Sequence, residues 1–167
     1  GSIDIDYKAL QTRVGRFLKG SSQTLAKSLA AAGITLYEGR GVCAGKGQAI
    51  VRSESGEEML TTDNIILSCG SSSASFPGLA PDGDAVLDST GVLNLPEVPE
   101  SLIIVGAGAI GLELGDFFGM MGSKITIVEA APHIAPTEDA DIAKEMDRVQ
   151  SKAGRTCITG VMAKSLV

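Results

Sequence analysis

The chain has 167 residues, 44% of them hydrophobic and 20% charged, a soluble globular composition that suits one compact domain or two partial ones. Twenty acidic residues against fourteen basic ones leave a formal charge of −6, which repels a duplex or an anionic membrane and argues against nucleic acid as a partner. The apolar runs, such as Leu102 to Val105, are far shorter than the ~20 residues that cross a bilayer, and no basic region precedes an apolar N-terminal stretch, so a cytoplasmic location with no membrane partner is expected.

Taken in chain order, Gly1-Ser2 has the look of a tag remnant and carries no argument. From Tyr7 the apolar positions Tyr7, Leu10, Val14, Phe17 and Leu18 recur at spacings of three and four, which predicts a helix. Gly20-Ser21-Ser22 is expected to interrupt it before an Ala-rich helix through Leu25 and Leu29, capped at Gly33. The period then shortens. Ile34 to Tyr37, Gly41 to Ala44, Gln48 to Arg52 and Met59 to Thr61 are short runs between Gly-containing turns and predict a small antiparallel meander. Asn64 to Leu67 predicts one more strand, running into Cys69-Gly70-Ser71-Ser72-Ser73, where a ligand edge is expected. Pro96 and Pro99 bound a connector, and the pattern then alternates strand and helix. Strands are expected at Leu102 to Val105, Lys124 to Val128 and Thr156 to Thr159, with helices at Ala109 to Met121 and Asp139 to Lys152. The expected architecture is therefore α/β: a first domain over 1–95 with helices and a meander, and a truncated Rossmann-type βαβαβ unit over 96–167.

Gly106-Ala107-Gly108-Ala109-Ile110-Gly111 follows a buried-type strand and opens a helix, the context that gives a GxGxxG pattern its meaning. Gly106 permits the tight turn, Gly108 lets backbone approach a pyrophosphate, and Gly111 lets the helix lie close on the strand. The unpaired amides and positive dipole end of that helix attract an anion without any Lys or Arg in the turn. Gly115 lies on the same helical face as Gly111, and Gly122 sits where a cap is expected. Glu129 stands at the end of the next strand, eighteen residues after Gly111, where a carboxylate accepts both ribose hydroxyls of an adenosine. This favours NAD over NADP, whose 2′-phosphate would meet a like charge, and Ala130-Ala131-Pro132 supplies no Arg to neutralise it. The alternative is that the glycines only pack a helix on a sheet and Glu129 is a solvated strand end.

The stretch from Pro99 to Glu129, PESLIIVGAGAIGLELGDFFGMMGSKITIVE, resembles the NAD(P)H domain of the FAD-dependent pyridine nucleotide-disulfide oxidoreductases, the dihydrolipoamide dehydrogenase branch in particular. Upstream, Ile65-Ile66-Leu67-Ser68-Cys69-Gly70-Ser71 resembles the family's hydrophobic strand ending in Ala-Thr-Gly-Ser, and Phe76-Pro77-Gly78 and Asp88-Ser89-Thr90 match its next landmarks. The order of these motifs resembles that around the family's NAD fingerprint rather than its FAD one. The resemblance implies that Gly106, Gly108, Ala109, Ile110 and Gly111 surround the pyrophosphate, Glu129 and Ala130 the adenosine ribose, Val161 the adenine, and Glu113 the nicotinamide carboxamide. For Glu113 the plain alternative is an ordinary helix residue near the dipole's positive end. Gly41, Gly70 and Ser71 fall where the family lines its FAD site, although loop glycines and serines are also common turn formers.

The departures are Ser68-Cys69-Gly70 in place of Ala-Thr-Gly, and Ala109 where some relatives carry a Tyr that gates the nicotinamide pocket. The family's FAD fingerprint, its Cys-x4-Cys and its C-terminal His/Glu pair do not occur in the 167 residues, so an internal segment, inactive alone, is expected. No catalytic residue is assigned. Cys43, Cys69 and Cys157 are too scattered for a disulfide framework and are read as free thiols. His133 lacks a second His or Cys nearby, and Glu138, Asp139 and Asp141 suit a helix start, so no metal site is expected. The resemblance implies NAD as cofactor here and FAD in the parent enzyme, with hydride exchange coupled to a dithiol. Partial sheets expose edges, so a homodimer is expected, and a 2-oxo acid dehydrogenase complex is a candidate partner for the parent. The alternatives are a mercuric or glutathione reductase-like member, or a non-catalytic interaction module.

Overall fold

The computed structural model describes residues 5–165, so Gly1-Ser2 lies outside the described residues. Two compact units emerge, one over residues 9–71 and one made of residues 72–167 together with 1–8.

Helix α1 runs unbroken over Tyr7–Ala31, its residues from Ala9 onward belonging to the unit over 9–71, so the interruption expected at Gly20-Ser21-Ser22 does not occur. Glycine in a helix interior costs only about 1 kcal/mol relative to alanine, and the neighbouring hydroxyls turn inward along the helix instead of breaking it. Thr24 Oγ1 donates to the Gly20 carbonyl and Ser28 Oγ to the Thr24 carbonyl, each at 2.9 Å. Gly33 ends the segment in the left-handed region at φ +71°, as the cap reading expects. No residue of α1 is buried. Strands β1 (Arg40–Gly45), β2 (Gln48–Ser53) and β3 (Gly56–Thr61) form the antiparallel meander in sequential order. A register shift between Cys43 and Gly45 leads into the first turn, where Gly47 has φ +70° and a Cβ would sit 2.6 Å from the Thr62 carbonyl oxygen.

Two expected strands are absent. Ile34 to Tyr37 and Asn64 to Leu67 are irregular, and Ile66 is 91% exposed. An apolar run identifies a segment that favours burial between neighbours, but a strand exists only when a second strand pairs with it. No described strand pairs with either segment.

The second unit is the alternating one. Helix α2 (Ser89–Leu93) precedes β4 (Ser101–Val105), α3 (Ala109–Met120), β5 (Lys124–Glu129), α4 (Ala140–Lys152) and β6 (Thr156–Thr159). The sequence reading placed no helix at α2. Asp88 caps it, its Oδ1 accepting from the Gly91 amide at 2.7 Å. The strands form a parallel sheet in the order β4-β5-β6, with Val105 beside Val128 and Glu129 beside Thr159. Ile104, Ile125 and Ile127 meet Leu112 and Phe118 of α3 in the core, and Val92, Ile134 and Ala135 complete it. Leu87, Leu95 and Val98 also pack on this cluster, so residues 72–95 group in space with the alternating unit. This compact unit therefore begins at Ser72.

α3 lies close to the sheet because three of its residues, Gly111, Gly115 and Gly119, lack side chains. A Cβ at Gly115 would meet Ile104, Ile125 and Ile127 at 3.2–3.4 Å, and one at Gly111 would meet the Gly106 carbonyl oxygen at 2.1 Å. At Gly119 it would lie 2.8 Å from Arg155 Nε. Arg155, buried at the entry to β6, pairs with Asp116 at 2.7 Å and donates to Gln150 Oε1 at 2.9 Å.

Candidate nucleotide site

Parallel strands point all their carboxyl ends to one edge, and ligands of open α/β sheets gather there. β4 ends at Val105, and Gly106 turns the chain at φ +104° with its amide donating to the Val128 carbonyl at 2.8 Å. Gly108 is the N-cap of α3, extended at φ −74° and ψ −178°, with no side-chain cap. A Cβ added there would meet nothing within 4 Å. Open space therefore faces a helix start whose first amides have no intrahelical acceptor. The charge at this helix start is the partial positive charge of backbone alone, which favours an anion. The glycines divide by duty: Gly111 and Gly115 are needed for packing, Gly108 leaves room.

Across the edge stands Glu129, the last residue of β5. Its Oε2 accepts from the Ala107 amide and its Oε1 from the Ala131 amide, both at 2.7 Å. These amides, Ala131 first and then Ala107, hold the carboxyl below its ordinary value of 4.5 against the opposing effect of burial. Glu129 is thus an ionised acceptor fixed in place by two backbone amides, an attachment the sequence reading missed. The signal for that attachment is absent from any motif, since backbone amides have no residue identity.

The remaining residues distribute as follows. Ala109 and Ile110 form the first turn of α3, Ile110 being exposed, and Glu113 lies one turn further along. Ala130 follows Glu129 directly, and Val161 follows β6 with its amide donating to the Glu129 carbonyl at 3.1 Å. Gly160 likewise donates to the Ala131 carbonyl at 2.8 Å. Structure therefore brings Gly106, Gly108, Glu129, Ala130 and Val161 to one edge. Gly41 lies in β1, whereas Gly70 and Ser71 lie outside any helix or strand, all three exposed. Cys43, Cys69 and Cys157 are free thiols, the first two exposed. Asp139 is the N-cap of α4 without a side-chain cap bond, and Asp141 occupies its first turn.

The profile of the pyridine nucleotide-disulphide oxidoreductases matches residues 7–167. The chain belongs to this family. Dihydrolipoyl dehydrogenase of Chlorobaculum tepidum is 37% identical over 161 residues, covering 96% of this chain and 34% of the relative. Leghemoglobin reductase of Glycine max is 32% identical over 96% of this chain and 32% of its own length. Among solved structures, LpdA of Mycobacterium tuberculosis matches with a TM-score of 0.87 at 25% identity over 99% of this chain and 38% of its own. A Cu(II) complex of the HOCl-induced flavoprotein disulfide reductase RclA of Escherichia coli matches with a TM-score of 0.87 at 28% identity, over 98% of this chain and 38% of that one. The chain thus spans about a third of the length of the curated relatives it matches. As a rule the family uses FAD and a pyridine nucleotide. The chain's α/β architecture, with a three-stranded antiparallel meander in one unit and a parallel Rossmann-type sheet in the other, is the expected one. No described helix is long and apolar enough to cross a membrane.

Proposed function

We propose that the edge formed by the ends of β4, β5 and β6 binds NAD(H), as the pyridine-nucleotide site of a dihydrolipoamide dehydrogenase-like oxidoreductase. The observation that carries this reading is the open space at Gly108, set at the start of α3 and opposite an ionised Glu129. Amides at Ala109, Ile110 and Gly111 would receive the pyrophosphate, with Gly106 and Gly108 keeping side chains out of its path. Glu129 would accept the ribose hydroxyls, with Ala130 beside it, and Val161 would lie against the adenine. Glu113 would reach toward the carboxamide. When bound, the nicotinamide supplies a hydride-transfer centre.

For a protein of the relatives' full length, the proposal extends to hydride exchange with FAD coupled to a dithiol, in a homodimer serving a 2-oxo acid dehydrogenase complex. Gly41, Gly70 and Ser71 would then face the flavin nucleotide. The three cysteines of this chain have no part in that exchange, and no residue of the 167 is assigned a catalytic role.

Titration of NADH fluorescence with the chain tests the site. Saturable binding is expected, at least tenfold weaker for NADPH because its 2′-phosphate meets Glu129, and Glu129→Arg should abolish that preference. Fluorescence unchanged at saturating protein overturns the proposal.

A further inference from the structure

A carboxylate whose only duty is to accept ribose hydroxyls has no need of donors from its own chain. In this structure both oxygens of Glu129 already accept a backbone amide, Ala107 at Oε2 and Ala131 at Oε1. Ala107 is the residue between the first two glycines of the turn and is wholly buried. It is held from its other end as well, because its carbonyl accepts from the Ala135 amide at 2.9 Å. Ala135 is the only described non-glycine residue at positive φ, +48°, and it is buried in the core. A left-handed alanine is disfavoured by sterics, so the surrounding contacts must impose this conformation.

We propose that Glu129 is a positioning residue for the glycine turn: its carboxylate and the Ala135 amide clamp Ala107 from both sides and aim the first amides of α3 at a bound pyrophosphate. This rests on the nucleotide site proposed above and adds to the ribose contact, since each carboxylate oxygen keeps a second lone pair for a hydroxyl. Glutamine cannot substitute, because its NH2 would face one of the two amides donor to donor. Aspartate keeps the charge but is one methylene short of spanning both amides.

The two roles make opposite predictions for a ligand without ribose hydroxyls. Removing a negative charge beside an anion site favours a diphosphate by Coulomb's law, whereas releasing the turn disfavours it. The test is calorimetric titration of the full 167-residue chain with 2′,3′-dideoxyadenosine 5′-diphosphate and with NADH, for wild type and for Glu129→Ala, Glu129→Gln and Glu129→Asp. Amide exchange at Ala107 is measured in the same proteins without ligand. The dideoxy nucleotide should bind about tenfold more weakly to all three variants, in line with the loss of a charge-assisted hydrogen bond. Ala107 should exchange at least tenfold faster while Ile127, in the core of β5, stays protected and certifies the fold. Unchanged or tighter binding of the dideoxy nucleotide to Glu129→Ala, or unchanged exchange at Ala107, overturns the clamp. A wild-type chain that binds neither NADH nor the dideoxy nucleotide refutes the nucleotide site instead, and exchange at Ala107 then decides the clamp by itself.

Discussion

Two glycines three residues apart should respond to alanine in opposite ways. At Gly111 the new methyl would lie 2.1 Å from the Gly106 carbonyl oxygen and 3.2 Å from both the Gly106 carbonyl carbon and Ile104 Cγ2. A carbon needs about 3.3 Å from such an oxygen, so helix or turn must give by about 1 Å. Both are fixed: the turn by its bond to Val128 and the helix by Leu112 and Phe118 in the core. The expected cost is about 3 kcal/mol, the upper end for overpacking, which lowers the melting temperature by about 6–12 °C for a chain of this size. At Gly108 the methyl meets nothing within 4 Å and the backbone is extended. Its gain from a stiffer unfolded chain and its loss as a poorer N-cap nearly cancel, leaving stability within about 0.5 kcal/mol of wild type. NADH affinity should nevertheless fall at least tenfold, because the methyl occupies the space proposed for the pyrophosphate. Urea unfolding followed through the Ile104 and Ile127 amides reports the unit that carries both substitutions. Equal losses of stability in the two variants, or a Gly111→Ala protein within 0.5 kcal/mol of wild type, would refute the division of duties.

Acid should weaken the same edge. Folding holds the Glu129 carboxyl below 4.5, so the unfolded chain binds more protons, and the stabilisation is full above about 4.5 and lost as pH falls through the lower folded value. Urea midpoints between pH 6 and 3 should fall less steeply in Glu129→Gln than in wild type; parallel profiles contradict the assignment. Burial pushes the Cys157 thiol above its ordinary 9.0, whereas Cys43 and Cys69 are exposed. Alkylation at pH 8, followed by peptide mass spectrometry, should label Cys157 last. Asp116→Ala leaves the buried Arg155 guanidinium with Gln150 as its remaining side-chain partner. It should destabilise by about 1–3 kcal/mol, less than a fully buried pair because Asp116 is half exposed, and Arg155→Met should cost less than Asp116→Ala. The reverse order in urea unfolding would show that the guanidinium's packing, not its ion pair, matters.

The alternating unit was readable from sequence because its signals are local. Ile125 and Ile127 sit in a run of four β-branched residues, Ile125 to Val128, Gly108 stands where a strand becomes a helix, and β6 was placed at its observed bounds. The helix through Gly20 and the five-residue α2 were misjudged for the opposite reason: a single glycine or proline shifts local propensity by an amount that neighbouring residues or packing can outweigh. Strand pairing lies further from sequence still. Ile65, Ile66 and Leu67 carry every apolar mark of a strand, yet hydrogen bonds to a second strand make one, and none forms here.

Sequence alone set out the chemistry proposed for the site: glycines that let backbone approach an anion, and a carboxylate at the interval that suits a ribose. Those properties belong to side chains, or to their absence, and are written in residue identity. Only the tertiary structure decided that Glu129 also grips Ala107, that Ala135 takes a left-handed conformation to hold it from the other side, and that residues 72–95 join this unit. Amides and carbonyls are the same at every position, so which of them meet is settled by packing in three dimensions.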